Sequence, residues 1–206
     1  MVTLSLSDAD KRRIAAVVAD VETRSSAEIL VVTSPGAADY ANVVALAAAG
    51  VTLFGGALAA LLWPLPALTV VAGQMALFTL VWGGLTWGRM GHRLVPRVLR
   101  TARAERAAAL EFARLVSAQT ADKRGLLIYL AFAERHIEIV ADRGIAAAVP
   151  DTRWQEIVDG FPAALRDRSL GEALFEVVRR CGEILAASFP AEPGQRNEMT
   201  DHIVER

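Results

Sequence analysis

Between Asp39 and Arg89 the chain lacks any Asp, Glu, Lys or Arg, which leaves an uncharged run of 49 residues, Tyr40 to Gly88, in a protein of 206. A water-facing surface is excluded for such a stretch, because surfaces of soluble domains carry interspersed charge. Cysteine is almost missing as well: Cys181 stands alone, so there is neither an intrachain disulfide framework nor a zinc site built from several thiolates. The start, Met-Val-Thr-Leu-Ser-Leu-Ser-Asp, has no basic n-region and no apolar h-region and does not read as a secretory signal. Neither sign of charge dominates, at 22 Lys and Arg against 23 Asp and Glu, which argues against a nucleic-acid binder or an enzyme steering acidic substrates. Walker and Rossmann glycine spacings are absent, as is a nucleophile elbow.

What is present begins with that uncharged run. A membrane-crossing helix needs about 20 apolar residues, so the run is long enough for two. Trp63-Pro64-Leu65-Pro66 breaks it in the middle, since proline removes a backbone donor and clashes with the preceding turn. The spans are expected at Ala41 to Leu62 and Ala67 to Trp87, with Trp63 at one headgroup boundary and Trp82 and Trp87 near the other. Gly55-Gly56 and Gly83-Gly84 are positioned to let the helices approach, and Gln74 has the side chain for an interhelical hydrogen bond. Arg89, Arg93, Arg97, Arg100, Arg103 and Arg106 follow the second span, while the turn is uncharged. The positive-inside rule then places both termini in the cytoplasm of a two-span protein of the cell (inner) membrane. Arg89, Arg93, Arg97 and Arg100 are the candidates for contact with the membrane surface, by topology signal or by lipid binding.

The flanking residues read as a small domain. Ser7 and Asp10 form a capping box ahead of Ile14, Val17, Val18 and Val21, predicting a helix to Arg24. Glu28 to Thr33 is a β-branched strand stopped by Pro35-Gly36. After the run, Ala102 to Ala118 predicts a helix covering a sheet with Leu110, Ala113 and Leu115. Leu126 to Leu130 reads as a strand buried on both faces, and Arg135 to Ala141 as its antiparallel partner with one wet face. Asp142-Arg143-Gly144 leads into a short turn of helix. Thr152 with Gln155 and Ser169 with Glu172 predict caps for two further helices, and the residues from Pro190 predict a loosely held polar tail. The expected organisation is a domain in two parts, 1–39 and 89–190, split by a hairpin at 40–88 and followed by a tail at 191–206.

Glu22-Thr23, Ala27-Glu28-Ile29, Arg124 to Tyr129, Glu134 to Ile145, Trp154 and Phe189-Pro190 occur in an order that resembles the TPM-domain family. Asn197-Glu198-Met199-Thr200-Asp201 is similar to an Asn-Glu-Leu-Pro-Asp tail of bacterial members, with Met199 and Thr200 as departures. The resemblance implies an α/β class fold, a three-layer α/β/α domain with a small mixed sheet. In this chain a two-helix transmembrane hairpin interrupts it. It also implies one of two roles. The first is a tethered accessory or interaction module for membrane components, with the lipid bilayer and another membrane protein as partners. The second is a metal-assisted acid phosphatase acting on phosphomonoesters.

A phosphatase would need more than one carboxylate to hold a divalent metal or position water, and a cation for the transition-state charge. The catalytic candidates are Asp142, Glu28 and Arg143, and the metal candidates are Asp142, Glu28 and Asp151. Asp142 ends a strand just before a helix, where it serves equally well as an N-cap. His92, His136 and His202 have no metal-ligand spacing. Asn197, Glu198 and Asp201 are the candidates for binding a partner.

Overall fold

Two strands fully buried along their length, β1 (Glu28–Ser34) and β2 (Gly125–Ala131), form the centre of the domain in the computed structural model, which describes residues 6–36, 41–64, 66–87, 97–116, 124–192 and 203–205. They pair in parallel, with Glu28 opposite Gly125 and Ser34 opposite Ala131. Strand β3 (His136–Ala141) pairs antiparallel with β2 through a turn in which Arg135 has φ 51°. Its Ile137 and Ile139 are buried, while His136 and Glu138 share the wetter face 3.0 Å apart. That alternation is the one expected of a strand at the sheet's edge.

The other edge was not anticipated. Val204 and Glu205 form a short strand, β4, parallel to β1, giving the order β3-β2-β1-β4. Glu205 is held by Lys11 at 2.8 Å, so the end of the expected loose tail is an element of the sheet.

Helices cover both faces. On one lie α1 (Asp8–Arg24), α6 (Asp151–Asp167) and α7 (Leu170–Ser188), burying Ile14, Val18, Trp154, Ile157, Phe161, Leu174 and Leu185 against Ile29, Val31, Leu126 and Ile128. Gly182 and Gly171 let α1 and α7 pack closely, since a Cβ at either would collide with Val21 or Asp10. On the other face lies α4 (Arg97–Leu115), whose Ala108, Phe112 and Leu115 meet Leu30, Val32, Leu127 and Tyr129. The expected contacts of α4 are corrected in part: Leu115 packs inward, but Leu110 and Ala113 are exposed. The result is a three-layer α/β/α domain with a mixed sheet.

Caps explain several helix starts. Ser7 with Asp10 and Ser169 with Glu172 each make both bonds of a capping box. The expected cap at Thr152 is not formed. Pro150 takes the N-cap position, α6 starts two residues earlier than a cap at Thr152 would give, and Gln155 instead donates to Asp159 at 2.9 Å. A short helix, α5 (Arg143–Ala148), joins β3 to α6.

By its internal contacts the chain divides into two units, residues 1–37 with 101–206, and residues 38–100. The second contains α2 (Ala41–Leu62) and α3 (Ala67–Trp87), packed on one another. Gln74 presses against Gly56, and its amide donates to the Thr52 carbonyl at 3.5 Å. Thr52 and Thr79 return their hydroxyls to carbonyls of their own helices, at Ala49 and Met75. At Gly83 and Gly84 an added side chain would meet no described atom within 4 Å, so the close approach expected there is confined to Gly56. Both helices are long and apolar enough to cross a membrane. Leu46, Leu53, Phe54, Leu61, Leu68, Met75 and Leu80 are each more than 60% exposed.

Candidate functional site

Pairing brings two of the proposed acidic residues to one end of the sheet. Glu28 opens β1 opposite Gly125, and the Asp142 backbone N–H donates to the Gly125 carbonyl at 2.9 Å. They therefore flank Gly125 from its two neighbours, with backbones separated by two strand spacings, or roughly 10 Å. Both are buried, at 6% and 4% exposure. The Asp142 carboxylate accepts the Arg143 N–H at 2.7 Å and caps α5, which accounts for an aspartate at this position. Arg143 is exposed in the first turn of that helix, and Asp151 is exposed at the start of α6.

A further cationic contact at this end belongs to a residue that sequence reasoning did not select as a site. The Arg124 guanidinium donates to the Ser26 hydroxyl at 2.9 Å and to the Glu192 carboxylate at 2.7 Å, beside the Phe189 ring. Backbone bonds from Ser26 to Phe189 and from Ala191 to Arg24 fasten the end of α7 to the start of β1. Its available signals were its place just before a buried strand and its position in the segment Arg124 to Tyr129 that carries the family resemblance.

A divalent metal fits these residues poorly. Among the described residues no group of three or more His, Cys, Asp and Glu side chains comes together, and Asp142 is already engaged as a cap. Cys181 is no better suited, since full burial pushes its thiol far above the ordinary range and leaves it unionised. At the opposite end of the sheet, burial raises Tyr129 above its usual value, against a hydrogen bond with Ser34 that lowers it. A groove of about 200 Å³ between α6 and α7 sets Arg153 and Arg180 against Glu156 and Glu183, and includes none of the proposed site residues.

Of the proposed membrane-surface residues, Arg89 and Arg93 lie outside the described residues, and Arg97 and Arg100 belong to the first turn of α4. Asn197, Glu198 and Asp201 also lie outside the described residues.

Residues 94–184 match the family model described as the TPM domain. That segment carries the pattern of a TPM domain. The match starts beyond α3, and α1 and β1 complete the domain's sheet and one helical layer from the other side of the hairpin. The fold is also that of the BA42 protein from the psychrophilic bacterium Bizionia argentinensis, known from an NMR structure. The TM-score is 0.62 at 16% identity, over 100% of this chain and 99% of that one. No curated protein matches the chain.

Proposed function

We propose that this is an integral membrane protein whose TPM domain serves at the cytoplasmic face as an accessory or interaction module for another membrane component. The observation that carries the reading is the exposed apolar surface of α2 and α3. Their large side chains point outward along both helices, and neither helix contains an ionisable residue. In water such a surface would aggregate, whereas hydrocarbon solvates it and the helical backbone satisfies its own hydrogen bonds. The arginines from Arg89 onward favour a cytoplasmic domain.

The non-catalytic role is supported by what the acidic residues already do. Asp142 caps a helix, Glu28 is set across a strand from it, and no metal-binding trio forms among the described residues. The acid phosphatase reading remains the competitor, and the double variant Glu28→Gln with Asp142→Asn separates the two. Asparagine caps a helix about as well as aspartate, so the fold is expected to survive. Purified full-length protein should release no phosphate above background from a generic phosphomonoester at acid or neutral pH, with or without divalent metal. Its crosslinks to membrane neighbours should be the same in the variant. Metal-dependent phosphate release that the double variant abolishes would replace this reading with the enzymatic one.

A further inference from the structure

Helix α4 has a second face. While Ala108, Phe112 and Leu115 pack on the sheet, Arg103, Arg106, Leu110 and Arg114 recur at steps of three, four and four residues and share the side turned away from it. Arg106, Leu110 and Arg114 are exposed, Leu110 to 66%, and Ala109 and Ala113 are exposed on the row beside them. The acids of this helix lie off the stripe: Glu105 is on its flank and Glu111 is half-buried. A large apolar side chain set among arginines, with no acid on the same stripe, is the composition of a helix lying in an anionic interface. There leucine enters the acyl boundary while guanidinium groups meet phosphates.

We infer that this outer face of α4 docks the TPM domain flat on an anionic lipid surface. The inference rests on the hairpin being inserted in the membrane. Only nine residues, 88–96, separate α3 from α4, so an inserted hairpin tethers α4 within about 30 Å of contour length of the interface. The tether makes docking effectively intramolecular, which lets a small patch suffice. Lipid fits better than an acidic protein groove because the stripe pairs its charge with an exposed leucine, and because the tether supplies the bilayer.

The test uses the full-length chain in proteoliposomes with spin-labelled lipid. A Leu110→Cys variant carries an environment-sensitive fluorophore, and an Ala187→Cys variant at an exposed position of α7 serves as the reference. Buried Cys181 does not compete for the label. In vesicles containing phosphatidylglycerol the label at 110 should be quenched several-fold more than the label at 187, and high salt or purely zwitterionic lipid should remove the difference. Arg106→Gln with Arg114→Gln should lower the docked-to-undocked ratio by about 30-fold. Equal quenching at both positions, quenching indifferent to lipid charge, or burial of the label that depends on protein density, as a second copy would cause, each overturns the inference. Carbonate extraction of the same vesicles keeps the two proposals apart: a chain that stays in the membrane with an unquenched label defeats docking and leaves anchoring intact.

Discussion

Ser169 shows how much a single position decides. Its hydroxyl accepts the Glu172 N–H, and its own N–H and hydroxyl both reach the Glu172 carboxylate, closing the start of α7. Ser169→Ala should destabilise the full-length protein in detergent by about 1 kcal/mol, measured by urea unfolding. The backbone N–H of Ser169, helped by its hydroxyl, holds Glu172 below the usual carboxylate range. A folded value that is depressed adds stability above the unfolded value and loses it as pH falls through the folded one. The gap between wild type and variant should therefore narrow in acid, as the hydroxyl loses its charged acceptor. This cap was legible because its chemistry lies within four residues. The cap expected at Thr152 failed for an equally local reason, since Pro150 can precede a helix without offering a side-chain acceptor. Asp142 was legible as a cap, whereas the partners of Arg124 were not, because Ser26 and Glu192 are 98 and 68 residues away.

Elements were readable in proportion to the strength of their pattern. The continuous apolar run of β2 and the alternation in β3 announce a central and an edge strand, and the uncharged run with its Trp-Pro break fixes α2 and α3 to the residue. Helix α4 shows the limit. Its inward face is largely alanine, and a reading that weights large apolar groups selects Leu110, which points the other way. Strand β4 had no readable pattern, because two residues have no periodicity and their place depends on β1, far earlier in the chain. In the hairpin, the mid-span amide of Gln74 signalled an interhelical contact, and Gly56 provides the space for it. Gly56→Leu should push Gln74 aside and weaken the helix pair by about 1–3 kcal/mol. The readout is disulfide crosslinking between Gly55→Cys and Leu77→Cys, since a Cβ placed at position 55 would lie 3.8 Å from the end of the Leu77 side chain. Crosslinking should fall when Leu replaces Gly56, and an unchanged yield would mean that this glycine is not where the helices meet.

At the scale of the molecule, two long apolar helices are inserted between β1 and α4, within the crossover that joins two parallel strands. Such a crossover already needs a dozen or more residues, and lengthening a connection costs little entropy, so the sheet forms with the insertion in place. The insertion gives the chain a large exposed apolar surface, and the role proposed for the TPM domain depends on where that surface resides. The decisive measurement is topology in sealed membrane vesicles of known orientation. An impermeant maleimide is offered to Pro64→Cys, tags are carried at both termini, and carbonate extraction follows. The chain should remain in the membrane pellet, with the turn labelled from the outer side and both tags reached from the cytoplasmic side only. Release of the chain by carbonate, or terminal tags reporting from opposite sides, would show that hydrocarbon does not surround α2 and α3 as a paired crossing.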